Sequence, residues 1–446
     1  MQESCPEEMR VKGLRQVVGR TGAPSSVHFV AMSGSKGWKF RAPLARLGSA
    51  LIIGSLVAEV AAAAPRVVAV GDVHGDLPAF RGILKDAGLV DDRGAWSGGD
   101  AVFVQLGDLI DRGPSTRGVL DFVMALEKDA ARSGGSVVVL LGNHEVMNMT
   151  GDLRYVPPES YAEFADAGSE KRREDAWTAL REYATRRAAE LKRPGARFGP
   201  DERTAWLEKH PPGYFERQEA FGPDGVYGRW LREKSAVRAF RDTGFLHGGV
   251  SPAYMRTPLT ELDRLVRSDL SAFDADRKAF VAEGLILPFF DFVETTQAVR
   301  EQLDVLGVGG KDPERRKTYE KFLDWGHWTM NSEDGPLWFR GYSKWTDAEG
   351  DKEMASVTAF ELVDRFVVGH SPQLGAKIRV RFGGRVFLID TGMLGGSFFP
   401  GGGPSALEIS DDGIRAVYPG GRRELLVAPP AKKAAALRAV AVRPAA

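Results

Sequence analysis

Seven polar residues stand close behind short apolar runs: Asp72, His74, Asp108, Asn143, His144, His247 and His370. Two carboxylates, four imidazoles and one amide make a mixed nitrogen and oxygen donor set, which suits Mn, Fe or Zn rather than Ca. Any one such histidine is ordinarily a satisfied structural residue, and His28, His210 and His327 read as ordinary surface or core residues. Four of the seven histidines at the ends of apolar runs do not. An aspartate has two oxygens and can bridge two ions; ions about 3.5 to 4 Å apart can hold a hydroxide between them and polarise phosphoryl oxygens. Arg112 and Arg340 can grip the remaining oxygens through bidentate, charge-assisted bonds. His144, next to Asn143, is free to act as an acid if a carboxylate such as Asp111 holds it as imidazolium. The chemistry is metal-assisted attack on a phosphate ester.

These side chains need elements that converge them. GDLIDRG (Gly107 to Gly113) follows the apolar run Ala101 to Leu106. GDVHGD (Gly71 to Asp76) follows Val67 to Val70, and GNHE (Gly142 to Glu145) follows Val137 to Leu141. Strand, polar turn and helix in succession predict a parallel sheet with polar groups at its carboxyl edge, where open α/β sheets bind ligands. Pro78 to Ala87 and Pro114 to Ala131 read as the intervening helices, the second with Val119, Phe122, Val123 and Leu126 on one face. The strand pattern returns at Thr243 to Leu246, before HGG, and at Phe366 to Val368, before Gly369 and His370. Lys377 to Val380 and Arg385 to Ile389 read as a hairpin. From about 152 to 240 the chain is charged and helical, with Trp177, Leu180, Ala184, Ala188 and Leu191 on one stripe; this predicts an insert packed on the core. Residues 258 to 323 are again mostly helical. Trp325, Trp328, Trp338 and Trp345 cluster around Arg340 with Phe339 and Tyr342. Most of these rings should be core, and some should line the mouth of the site.

Taken in order, GDVHGD, GDLIDRG, GNHE, HGG and GH resemble the phosphoprotein phosphatases of the calcineurin-like metallophosphoesterase superfamily. Within that group, GNHEVMNMTGDLRYV, GRWLR, HGGVSPAY, LWFRGY, VVGHSPQ and IDTGM are similar to the Shewanella-like protein phosphatases. The resemblance covers residues 66 to 395. It implies an α/β fold of two mixed β-sheets packed face to face with flanking helices, and a dinuclear metal site at the strand carboxyl ends. It implies Asp72, His74 and Asp108 around one metal, and bridging Asp108 with Asn143, His247 and His370 around the other. His144 with Asp111 would be the acid pair, and Arg112 with Arg340 the phosphate clamp. The implied activity is hydrolysis of phosphomonoesters on proteins, at tyrosine, serine or threonine, by direct attack of a metal-bridging hydroxide. The SAPNY segment of the toxin-sensitive eukaryotic branch is missing, so sensitivity to those toxins is not expected. A nucleotide phosphoesterase of the diadenosine tetraphosphatase type shares the GD, GNHE and HGG motifs and is the rival enzyme. A metal-stabilised binding module without activity is the rival from another class. The aromatic cluster predicts a preference for phosphotyrosyl peptides.

Composition sets the outer bounds. The chain has 446 residues, 43% of them hydrophobic, enough for one large or two ordinary domains. Lys plus Arg and Asp plus Glu balance at 60 each, so no overall field favours nucleic acid as a partner. The single cysteine, Cys5, leaves the body without disulfides or cysteine-based phosphatase chemistry. Residues 1 to 31 read as an upstream extension. From Met32, a basic start, the apolar stretch Leu47 to Ala58 and the small residues Ala61 to Ala64 have the layout of a secretory signal peptide over 32 to 63. That predicts a periplasmic or secreted protein, with a catalytic domain over 64 to 426 and no membrane span after processing. Residues 427 to 446, rich in Ala, Pro, Lys and Arg, read as a flexible tail.

Overall fold

The computed structural model describes residues 64–307 and 312–429. The extension, the signal peptide, Cys5 and nearly all of the tail lie outside these residues. Eleven strands form two sheets. The first holds β1 (Val67–Val70), β2 (Val102–Gln105), β3 (Ser136–Val139), β9 (Ala406–Ser410), β10 (Gly413–Tyr418) and β11 (Arg422–Val427), in the order β11-β10-β9-β1-β2-β3. The second holds β4 (Val237–Phe240), β5 (Thr243–Leu246), β6 (Arg365–Val368), β7 (Arg379–Arg381) and β8 (Val386–Leu388), in the order β4-β5-β6-β8-β7. In both, a parallel trio carries the site: β1, β2 and β3 in one, β5, β6 and β8 in the other. Antiparallel strands flank each trio, so both sheets are mixed.

Side-chain alternation explains why the sheets stack. Successive residues of a strand point to opposite faces. On β1, Val67 and Ala69 join Val102, Val104, Phe245, Val367 and Phe387 in an apolar layer drawn from both sheets. Val68 and Val70 point the other way, with Phe103, toward Phe80, Ile83 and Val119 of the helices. Both faces of each central strand are therefore buried, which requires the continuous apolar runs seen in the sequence.

Helices α1 (Leu77–Asp86) and α2 (Thr116–Arg132) cover the first sheet, and α3 (Asn143–Thr150) leaves β3 directly into the site. The insert comprises α4 (Pro158–Ala162), α5 (Ser169–Glu190), α6 (Pro200–Lys209), α7 (Tyr214–Phe221) and α8 (Val226–Arg232). Its stripe packs in part on a local nest, where Trp177 meets Trp206 and Phe198. Beside the second sheet lie α9 (Leu259–Ala282), α10 (Phe292–Leu306) and α11 (Pro313–Leu323), followed by α12 (Gly341–Lys344) and α13 (Asp347–Glu361). The hairpin is present as β7 and β8, turned through Phe382–Gly384. Strands β9 to β11 had no counterpart in the sequence reading, which treated the stretch after residue 395 without elements. Among the described residues no helix is long and apolar enough to cross a membrane.

Candidate active site

Every parallel strand ends in a polar turn, and all these turns meet at one edge of the sandwich. Asp72 and His74 follow β1, Asp108 follows β2, and Asn143 opens α3 after β3. His247 follows β5, His370 follows β6, and Asp390 follows β8. The turns approach so closely that two glycines are obligatory. A Cβ on Gly107, at φ 93°, would lie 2.3 Å from the Gly142 backbone nitrogen. One on Gly369 would meet an Asp72 oxygen. Left-handed backbone is concentrated here too: His74, Asp108, Asp111, Arg112 and His370 have φ between 48° and 68°. Such strain on non-glycine residues persists only where surrounding contacts enforce it, typically at functional sites.

The histidines are oriented by backbone carbonyls. His74 Nδ1 is 3.1 Å from the Ile110 oxygen, His247 Nδ1 is 2.9 Å from that of Leu106, and His370 Nε2 is 3.1 Å from that of Trp338. A carbonyl only accepts, so those nitrogens carry the hydrogen and each ring turns its lone pair inward, as metal-ligating histidines do. His370 Nδ1 and His247 Nε2 then face each other at 3.1 Å, so either a proton on His247 or a metal ion must stand between them. Asn143 Oδ1, another acceptor, is 3.0 Å from the same His247 nitrogen.

Asp108 sits at the centre. Its Oδ2 lies 3.3 Å from His247 Nε2 and 3.8 Å from the Nε2 atoms of both His74 and His144. Two compact donor sets share it: His74, Asp108 and His144, and Asp108, His247 and His370, each with ligand atoms within 4.8 Å. Asp72 joins from β1, with Oδ2 3.8 Å from His74 Nε2 and Oδ1 accepting from the His370 backbone nitrogen.

The electrostatics are those of a buried donor set. Burial, aided by Asp390, raises the Asp72 carboxyl well above its usual range, and burial pushes Asp390 up to about 6. Burial works against a charged His247, but Asp108 and Asp72 outweigh it and raise that imidazole to about 9. Burial followed by Arg112 lowers His74, and burial followed by Arg340 lowers His370. One Asp390 oxygen is buried without a hydrogen-bond partner. Packed carboxylates, inward lone pairs and an orphaned oxygen all fit bound divalent or trivalent ions.

Around this centre stand the groups for the ester. His144 Nδ1 donates to Asp111 Oδ2 at 2.8 Å, which leaves Nε2 facing Asp108. Asp111 is held from two further sides, by Asn148 Nδ2 at 2.8 Å and by Arg217 at 3.3 Å. Arg112 approaches His74 Nε2 at 2.7 Å and lies between the rings of Tyr155 and Phe399, 5.3 Å from each centroid. Arg340 donates to the His370 carbonyl at 2.6 Å, with Ser371 Oγ at 3.4 Å. The structure thus brings together all ten residues singled out in the sequence.

Several residues of the site were not singled out. Glu145, fully buried, accepts from the backbone nitrogens of Asp108, Leu109 and Gly142 and ties two ligand turns together; its GNHE position was the available signal. Asp390 lies in the quoted IDTGM motif. Asn148 likewise lies in the quoted GNHEVMNMTGDLRYV motif, whereas Arg217 had no signal, because its role rests on a contact with Asp111 across 106 residues. The aromatic walls are Tyr155 and Phe399, not the tryptophan-rich span. There Phe339, Tyr342 and Trp345 pack on one another, and Trp338 alone lies near a ligand, edge-on to His370 at 5.9 Å.

A two-sheet sandwich with a shared-aspartate donor set at its strand ends is the architecture of a metallophosphoesterase. The chain belongs to the calcineurin-like phosphoesterase family, whose model matches residues 65–374. It is 33% identical over 221 residues to Shewanella-like protein phosphatase 2 of Arabidopsis thaliana, covering 48% of this chain. This chain spans about half the length of that relative, 54%. Shewanella-like protein phosphatase 1 of Plasmodium berghei is 24% identical over 360 residues, covering 79% of this chain and 74% of its own. Among solved structures, the cold-active protein-tyrosine phosphatase of a psychrophilic Shewanella superposes with a TM-score of 0.52 at 23% identity, covering 81% of this chain and 80% of its own. That likeness is one of fold.

Proposed function

We propose that the protein is a metal-dependent phosphoprotein phosphatase that hydrolyses phosphomonoesters on protein side chains. The observation that carries this reading is the His144–Asp111 pair, 2.8 Å across, aimed at the centre that Asp108 shares between two donor sets. The two relatives named above, both called Shewanella-like protein phosphatases, support it. Asp72, His74 and Asp108 would hold one ion, and Asp108, Asn143, His247 and His370 the other, with Mn, Fe or Zn suited to the donors. When bound, the ions supply Lewis acidity toward phosphoryl oxygens and a more acidic water. Arg112 and Arg340 bind and orient the phosphoryl group through charge-assisted bonds. His144 Nε2 delivers a proton to the departing side-chain oxygen, and Asp111 holds the ring and its charge in place.

Tyr155 and Phe399 flank Arg112 and can stack on the ring of a phosphotyrosine, while a phosphoserine methylene gains little from them. A preference for phosphotyrosyl substrates follows. The test is a metal-reconstituted assay of kcat/KM on peptides matched except at the phosphorylated residue, alongside a dinucleoside polyphosphate. Equal values for phosphotyrosine and phosphoserine would remove the preference, and faster cleavage of the dinucleotide would replace the reading with the nucleotide-directed one. We further propose that residues 32 to 63 direct export to the periplasm or beyond.

A further inference from the structure

The second sheet sends a carboxylate across to the first. Asp390 lies two residues past the end of β8, and its neighbour Ile389 donates its backbone N–H to the Val368 carbonyl of β6. From the other sheet, the turn after β1 comes within contact distance. A Cβ on Gly71 would lie 2.8 Å from the Ile389 oxygen and 3.1 Å from the Asp390 Cα. Three residues past His370, the Gln373 N–H donates to the Asp390 carbonyl at 2.8 Å and pins the backbone from a third side. Asp390 is only 1% exposed, and its two side-chain oxygens differ. Oδ1 accepts from the Gly392 N–H at 2.9 Å, whereas Oδ2 is buried without a donor. Within hydrogen-bonding reach of this carboxyl stands that of Asp72. Asp72 is buried too, with Oδ1 on the His370 N–H at 3.0 Å and Oδ2 3.8 Å from His74 Nε2. Two carboxylates side by side and out of water both accept, and neither donates. Only a shared proton or a nearby cation relieves such a contact.

We propose that Asp390 is a positioning residue for the ion assigned to Asp72, His74 and Asp108: it acts through Asp72, adding a second negative charge behind that ligand. The make-up of the two donor sets agrees with this. Beyond the shared Asp108, the other ion has only Asn143, His247 and His370, and no carboxylate of its own. The groups behind metal ligands tune the affinity of a site nearly as much as the ligands do. The cost of the arrangement falls on the metal-free chain, which buries two adjacent acids without a counter-charge at their contact. An ion on Asp72 supplies that charge, so affinity and metal-free stability pull in opposite directions at this residue. The inference rests on the metal role given above to Asp72.

The experiment uses the full chain, freed of metal by a chelator, with Mn²⁺ alone as the probe. Asp390→Asn keeps the shape and the acceptor for Gly392, removes the charge, and turns an amide N–H toward Asp72. Titration calorimetry should show at least one Mn²⁺ binding step weakened by about 10- to 100-fold. Urea unfolding of the metal-free variant should give a midpoint equal to or above that of the metal-free wild type, because the contact between two acceptors is gone. A residue that only packs would lower both quantities. Unchanged Mn²⁺ affinity, or a metal-free variant that is less stable or does not fold, would overturn the role of Asp390 and leave the phosphatase reading intact. A wild-type chain that takes up no Mn²⁺ would overturn the metal role of Asp72 itself, and this inference with it.

Discussion

Asp108 is the residue on which the two donor sets depend, and its single carboxylate has to serve both. Asp108→Asn keeps the shape but removes the shared negative charge, so two bound cations lose their common counter-charge. The variant should lose metal and activity together, and elemental analysis at full activity-assay concentrations checks this; two metals per chain would refute the bridging role. His144 turns Nε2 toward Asp108 at 3.8 Å while Asp111 holds its other ring nitrogen. If it serves as acid, His144→Asn keeps both metals and loses about 10²- to 10⁴-fold in turnover of alkyl esters, less for nitrophenyl phosphate. Metal loss in that variant would instead place it in the first donor set, beside His74 and Asp108. At this scale the sequence was informative wherever a polar residue closes an apolar run, because strand and turn geometry dictate where that residue points. It was silent on Arg217, one arginine in a segment full of them. Only the folded chain shows that this one is buried and faces Asp111.

Elements explain why Arg217 matters. Helix α7 belongs to the insert, which looked like packing material, yet it sends a buried guanidinium to the partner of His144. The rings of Phe221, Tyr161 and Phe164 surround that guanidinium at 4.7 to 5.8 Å, so the cation is held in place on an otherwise apolar face. Arg217→Met should destabilise the fold by about 3 kcal/mol or more, since Asp111 is left buried without its counter-charge. It should also slow phosphoseryl peptides more than nitrophenyl phosphate, with Arg217→Lys recovering part of that difference. A stability loss alone, with turnover of both esters unchanged, would reduce the insert to packing. Helix α10 carries a pH-dependent contribution. Glu294 completes its capping box with Asp291, and burial raises its carboxyl to about 7. The folded state keeps a proton that the unfolded chain releases near the ordinary carboxyl value of 4.5, so this group's contribution to stability falls as pH rises from about 4.5 to about 7. Glu294→Gln retains the cap and should flatten that fall, as read from urea midpoints across the interval.

At the scale of the whole molecule, the first described residues are tied down firmly. Arg66 bonds the Ala87 and Gly88 carbonyls and Glu408, and Arg241 bonds the Pro65 carbonyl, so the described contacts reach to residue 65. A cut near Ala64 leaves all of these in place. With residues 32 to 63 acting as the export signal proposed above, the native protein should start near Ala64 and be found outside the cytoplasm; N-terminal sequencing that returned residues 32 to 63 intact would refute cleavage. The parallel trios of both sheets were legible, since each strand is a continuous apolar run with a polar stop. Strands β9 to β11 were not. Their runs are interrupted by Arg415 and Glu408 and follow a glycine-rich stretch, and nothing local announces that β9 pairs with β1.

That pairing also sets a timetable. Strand β1 is nearly the first piece of the body to leave the ribosome, yet it lies between β2 and a strand 336 residues further on, Val67 opposite Ile409 to Ala69 opposite Leu407. Until β9 arrives, β1 presents a bare edge, and the turn bearing Asp72 and His74 has support on one side only. His370 arrives nearly as late, so a growing chain cannot assemble the centre piecemeal. Closure waits for distant segments to meet, the slow kind of folding event. A partly made enzyme is therefore an inactive one. The full donor set for two ions exists only once β9 and the turn bearing His370 are in place.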